Sequence, residues 1–365
     1  MAQNKKQHFV PQLLLRNFSV PGNKKQINLY DRKNDKFIPN IEIKNQAQEK
    51  YYYGKDLAFE NFLSSIESLA SNIFKNIVST DKLPLRFSKD HEDLLKFISL
   101  LHKRTKASVK EHESQLNSIF QTMLKYDEKI KNKDFENLRI AHPEPAAFNL
   151  AITISSWPLY LDLDACILKN TTTKPFLISD NPVIILNPLL MKRKKYWLLR
   201  GPINKGLVIL LPISPEYYLL LYDDWAYSLN SKEEMIELTK PSDIFNINIL
   251  QSIACDNILY SSDINASKYL KSLAKEGMKF KKDVIIKEEL QHIYDSSRIA
   301  VRSYYLEHKM NLNFSFLKEK EQTRNYDYEQ EKVIPRSPEL LEVAEKIIAD
   351  EKEFMRKASQ NSTQT

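Results

Sequence analysis

Residues 7–18 place Gln7, His8, Gln12 and Arg16 among Phe9, Val10, Leu13, Leu14 and Phe18. Those side chains could bind an anion and exchange a proton. Arginine and glutamine at i and i+4 share one face of a helix, so the heads of Gln12 and Arg16 can converge on one ligand. Pro11 fixes its own φ and disfavours helix before it, which puts His8 in extended chain. His8 is the candidate general acid or base.

Three further polar residues interrupt apolar patterns. Arg104 extends the stripe Phe97–Leu101 by a further turn, and an arginine there needs an anionic or carbonyl partner. Glu67 borders the apolar face of the helix expected over 56–79 and could be that partner, as could Asp180 or a substrate phosphate. Ser179, Asp180 and Asn181 sit between two apolar runs, 175–178 and 183–186, a position from which strands often present catalytic groups. Asp180-Asn181-Pro182 is equally good turn chemistry. Catalysis is expected of His8, Glu67, Arg104 and Asp180, and substrate binding of Gln12, Arg16, Asn181, Lys192 and Arg193. Asp180 is the candidate ligand for Mg²⁺, the one cofactor considered.

Residues 7–18 and the Ile178–Val183 motif together resemble a bacterial family known as domain of unknown function 4238. The resemblance spans most of 7–262 and includes Glu67, Arg104-Thr105, Trp157, Asn248 and Tyr260-Ser261. Here Leu13-Leu14-Leu15 stands where the family has an aromatic-containing run. The family label carries no activity.

The elements that must position these groups give an α+β fold. A hairpin over 26–31 and 36–44 precedes amphipathic helices at 56–79 and from Ser88 onward, with Ser88 as N-cap. A polar helical region runs from about 105 to 139. Between about 148 and 262, the runs 159–169, 176–186, 206–213 and 217–222 read as strands of one central mixed or antiparallel sheet. Helical periodicity returns at 263–276 and 285–310. The body is expected to be a single domain over 1–310, and 311–365 a charged helical appendage. Its last helix has Ser337 as N-cap and Pro338 at the first helical position, and its end is disordered.

Composition narrows the class. The chain has 365 residues, 42% of them hydrophobic and 28% charged, so it is a globular chain with a sizeable core. Five glycines and the absence of GxGxxG and GxxxxGK[ST] argue against a dinucleotide or P-loop site. HExxH, CxxC and the common serine and cysteine nucleophile motifs are missing too. The net charge of +7 favours an anionic ligand or nucleic acid as partner. Lys192, Arg193, Lys194, Lys195, Arg200 and Lys205 concentrate that excess between Asp180 and Glu216, where no acidic residue falls. Cys166 and Cys255 read as buried thiols in a cytoplasmic protein, and no run is long enough to span a membrane.

Two functions compete. One is a hydrolase or transferase acting on a phosphorylated, nucleotide or nucleic-acid substrate, in stress or phage defence. The other is a non-enzymatic ligand-binding or sensing module of a defence or toxin system. A solvent-open pocket joining His8, Arg104 and Asp180 favours the enzyme, and saturated hydrogen bonds at those residues favour the module.

Overall fold

The computed structural model describes residues 6–55, 57–126, 138–191, 201–230, 234–280, 285–292, 299–306, 313–324, 326, 336–340 and several positions from 342 to 353. The chain opens with β1 (Lys6–His8) and α1 (Gln12–Asn17). The hairpin β2 (Gln26–Asp31) and β3 (Lys36–Glu42) follows, then a 3-10 turn over Ile43–Asn45 and β4 (Gln48–Lys50). β4 returns antiparallel to β1 and sets Gln48 opposite His8.

Four helices come next: α2 (Ala58–Thr80), α3 (Lys89–Lys103), α4 (Lys106–Tyr126) and α5 (Pro145–Ala151). Leu63, Ile66, Ala70, Ile73, Phe74 and Ile77 form the buried stripe of α2, and Phe74 meets Phe97 of α3 edge to face. Ser88 caps α3 as expected, its side chain accepting from the His91 amide.

The second half is strand-rich: β5 (Asp164–Asn170), β6 (Ile178–Ser179), β7 (Ile184–Leu186), the short α6 (Pro188–Met191), β8 (Val208–Pro212), β9 (Tyr217–Tyr222), β10 (Tyr227–Leu229) and β11 (Met235–Leu238). After α7 (Pro241–Ala254) come β12 (Ile258–Ser261), α8 (Ser267–Phe280), β13 (Ile285–His292), β14 (Ile299–Leu306) and β15 (Leu317–Glu319).

This architecture is α+β. One mixed sheet has the order β11-β5-β9-β8-β7, with only β11 parallel to its neighbour. A second, antiparallel sheet has the order β3-β2-β12-β6. The expected single sheet is therefore two. The turn at Asp180-Asn181-Pro182 splits the 176–186 run, sending Ile178–Ser179 to β12 and Ile184–Leu186 to β8.

Of residues 285–310, expected to be helical, 285–292 and 299–306 form the antiparallel pair β13–β14 instead, and the rest lie outside the described residues. Ile285, Ile286, Ile299, Val301, Tyr304 and Tyr305 are strand formers whose preference outweighs the helical spacing.

The N-terminal segment belongs to the core. Phe9, Val10, Leu14, Leu15 and Phe18 are buried, and Asn17 Nδ2 donates to the Ile213 carbonyl at 2.9 Å, tying α1 to the end of β8. Both cysteines are buried and neither is in a disulfide. Residues beyond 311 also enter the body: Phe314 and Phe316 are buried, and β15 pairs with β10. Residues 338–340 are helical, as expected after Ser337. No helix among the described residues is long and apolar enough to cross a membrane.

Candidate functional site

Arg104 lies where α3 ends, fully inside the protein at 2% exposure. Each of its three guanidinium nitrogens has a partner. Nη1 donates to Glu67 Oε1 at 2.7 Å, Nε to the Tyr53 hydroxyl at 3.1 Å, and Nη2 to the His8 carbonyl. Tyr53 in turn donates its hydroxyl to the same His8 carbonyl at 3.1 Å. The stripe-extending arginine thus pairs with Glu67, one of the three partners open to it, together with two that patterning did not identify.

Gln7 is a second unforeseen member. It is wholly buried, its amide donates to the Gly54 carbonyl, and its oxygen accepts the Tyr53 amide at 2.6 Å. The available signals were a polar residue opening an apolar motif and the aromatic run Tyr51-Tyr52-Tyr53 directly before a glycine.

Around this network several buried polar atoms have no hydrogen-bond partner: His8 Nε2, Gln48 Oε1, Tyr52 OH and Glu60 Oε2. Burial pushes the Glu60 carboxyl up against the pull of Arg104. Burial likewise pulls the His8 imidazole down to about 4, and the charges of Arg104, Lys6 and Arg16 act in the same direction. A hydrogen bond to the Lys44 backbone opposes them without prevailing. His8 is neutral at physiological pH.

Asp180 stands in a different cluster. Its Oδ1 accepts the Asp256 amide at 2.8 Å, and its Oδ2 accepts the amides of Asn257 at 2.8 Å and Ile258 at 2.9 Å. The carboxylate pins the chain where α7 gives way to β12. Burial pushes its carboxyl up while these three donors hold it down. Asn181 is equally engaged, donating to the Ala254 carbonyl at 2.9 Å and accepting from Thr105 Oγ1 at 2.8 Å. Ser179 Oγ closes the turn onto the Asn181 backbone.

The expected meeting of His8, Arg104 and Asp180 therefore divides. His8, Glu67 and Arg104 share one network. Asp180 and Asn181 share another, joined to the first through the adjacent residues Arg104 and Thr105. Asp180 does not pair with Arg104 because the 256–258 backbone occupies both of its oxygens. The donor set also does not fit Mg²⁺, which takes octahedral oxygen ligands. Among the described residues no group of three His, Cys, Asp or Glu is placed to hold a metal.

The polar groups left open lie next door. A cleft of about 360 Å³ is lined by Gln12, Arg16, Lys24, Lys25, Glu42 and Lys44. Arg16 Nη2 donates to Gln12 Oε1 at 2.8 Å, the convergence expected from i, i+4 spacing. Lys44 is 3.1 Å from Glu42 in an exposed ion pair, which solvent weakens. Four cations face one carboxylate. His8 adjoins this cleft through the Lys44 backbone and the field of Arg16.

Of the basic segment, Lys192, Arg193, Lys194, Lys195 and Arg200 lie outside the described residues. Lys205 Nζ sits 4.4 Å from the Trp225 ring centroid and 4.3 Å from that of Tyr326, held between two aromatic faces.

No curated protein and no solved structure matches the chain. Residues 6–265 match the family described as Protein of unknown function (DUF4238). That span holds both networks and the cleft, and the chain belongs to this family.

Proposed function

We propose that the protein is a binding module for a phosphorylated or nucleotide-like anion, seated in the cleft between α1 and the 3-10 turn at Ile43–Asn45. The observation that carries this is the charge of the cleft, with Arg16, Lys24, Lys25 and Lys44 set against Glu42 alone. Arg16 is positioned in advance by Gln12, so less side-chain freedom is lost on binding. Planar arginine and mobile lysine ammoniums are the side chains that hold phosphate oxygens.

Arg104, Asp180 and Asn181 support the scaffold of this module rather than its ligand. Their hydrogen-bonding capacity goes to Tyr53, Glu67, the His8 carbonyl, Thr105 and the backbone at 254 and 256–258. They fix the walls from which Gln12, Arg16 and Lys44 project.

One observation favours a hydrolase or transferase acting on the same class of ligand. His8 is held neutral, bonds to the backbone of the cleft residue Lys44, and has a buried, unpartnered Nε2. That is the state a general base requires.

Calorimetric titration with inorganic phosphate, pyrophosphate and nucleotides tests the binding reading, with wild type compared against Arg16→Ala and Lys44→Ala. A charge-assisted contact is worth about 1.5–3 kcal/mol, so each substitution should weaken binding roughly 10- to 100-fold. No heat with any of these anions, or equal affinity in both variants, overturns it. Turnover of a bound nucleotide that His8→Asn abolishes would establish the enzymatic version.

A further inference from the structure

The positive charge of the cleft continues beyond the residues that line it. Asn45, next to the cleft residue Lys44, donates its side-chain amide to Glu42 Oε2 at 3.1 Å. The same side chain accepts Lys6 Nζ on its oxygen at 2.9 Å. Lys44 Nζ also lies 3.1 Å from Glu42 Oε2. The carboxylate that opposes the cleft cations is thus shared between a lysine and an amide, and Lys6 stands one side chain away from it.

Lys6 carries the charge outward along β1 and β4. The register sets Lys6 directly opposite Lys50, and directly opposed side chains share one face of a strand pair. Both lysines are exposed. Like charges facing each other across a ladder oppose its pairing, so packing and strand stability give no reason for this choice. Glu49 does not relieve it. That residue alternates onto the other face, opposite Gln7, and pairs with Lys106 at 2.5 Å.

The chain turns immediately after Lys50, where the Gly54 amide donates to the Tyr51 carbonyl at 2.9 Å. Tyr51 has φ 55, a left-handed conformation unusual for a bulky side chain, and it is only half-buried. Strained positions of this kind gather at ligand sites, where the surrounding structure holds them.

We infer that the ligand of this face is a single-stranded nucleic acid. Its successive phosphates run from Arg16, Lys24 and Lys25 past Lys44 to Lys6 and Lys50, and a base stacks on Tyr51. This rests on the reading of the cleft as an anion site and names the class of ligand. A lone phosphate or mononucleotide uses the cleft alone, whereas a linear polyanion uses both groups of cations. A cationic track beside an aromatic ring is the composition that holds single strands without sequence preference. A duplex keeps its bases stacked on one another and offers none to Tyr51.

The test is fluorescence anisotropy of the full-length protein with an oligothymidylate of about 12 nucleotides, run beside calorimetry with pyrophosphate. The oligomer should bind at least about 10-fold tighter than pyrophosphate, because its linked phosphates engage both groups of cations. It should also bind tighter than a duplex of the same length. Each phosphate contact on a single strand adds about −0.7 to the slope of log affinity against log salt, so removing Lys6 and Lys50 together, by Lys6→Ala and Lys50→Ala, should flatten that slope by about 1.4. Pyrophosphate affinity should be unchanged in this double variant, since every cleft residue is kept. Tyr51→Asn, which suits the left-handed backbone, should weaken the oligomer roughly 5- to 100-fold and spare pyrophosphate. Pyrophosphate binding beside an oligomer or duplex that binds no differently, or a salt slope untouched by the double substitution, overturns the inference and leaves the cleft reading standing. Failure of both pyrophosphate and oligomer to bind overturns the two together.

Discussion

Replacing Arg104 by lysine separates scaffold from ligand contact. Arginine reaches Glu67, Tyr53 and the His8 carbonyl from three nitrogens of one rigid plane. A lysine ammonium is a single point on a flexible stem, and from the same backbone position it can keep about one of these contacts. Hydrogen bonds to charged groups are worth about 1.5–3 kcal/mol each, so losing two costs at least roughly 3 kcal/mol. The Glu67 side chain, 24% exposed, recovers part of this through water, and the Tyr53 hydroxyl and His8 carbonyl keep only the bond between them. The assay is urea denaturation followed by far-ultraviolet circular dichroism, paired with anion titration. Arg104→Lys should lower stability by about 3 kcal/mol. Arg16→Ala, at the cleft surface, should change stability by less than about 0.5 kcal/mol and weaken binding roughly 10- to 100-fold. An Arg104→Lys protein as stable as wild type but unable to bind anions would refute this reasoning, because its guanidinium would then be facing the ligand.

Two further outcomes are expected. Asp180→Ala leaves the amides of Asp256, Asn257 and Ile258 without their acceptor, and hydrogen exchange at those three positions should accelerate while α2 stays protected. Unchanged protection at 256–258 would contradict the pinning role. His8 titrates near 6.5 when unfolded and near 4 when folded, so the unfolded chain takes up the proton first as pH falls. Its contribution is complete above pH 6.5 and is lost as pH drops through about 4; the gap is worth roughly 3 kcal/mol in full and about half that for a ring that solvent still reaches. His8→Gln should flatten that part of the stability curve, and a curve identical to wild type would sink the assignment.

Local periodicity exposed much of this in the sequence. The helical spacing of Leu63, Ile66, Ala70 and Ile73 marks α2, Ser88 marks the start of α3, and four-residue spacing brings Gln12 to Arg16. Arg104 at the end of an apolar stripe correctly implies a buried partner. α7 was not legible because it buries polar and apolar residues alike: Asp243, Asn248, Gln251 and Ser252 are buried beside Ile244, Ile247, Ile249 and Leu250, which leaves no amphipathic signature. The destination of Asp180 was not legible for a different reason. Its partners are backbone amides more than seventy residues away, and any residue type supplies those. Gln7 and Tyr53 belong to the same class, since one binds the other's main chain.

The return of the C-terminal segment to the body has a consequence for the order in which the molecule can be completed. Arg336 forks onto both oxygens of Asp162 at 2.7 and 2.8 Å and donates to the Leu159 and Pro202 carbonyls, while β15 fills the edge of β10. All of these partners precede residue 265, the end of the family match. A nascent chain that has emerged only to that point carries an open strand edge at Tyr227–Leu229 and an Asp162 carboxylate with no guanidinium. Closure waits for the ribosome to deliver residues 314–336. A recombinant fragment cut at the family boundary would be held at that same unfinished stage, with the exposed edge free to pair with another copy.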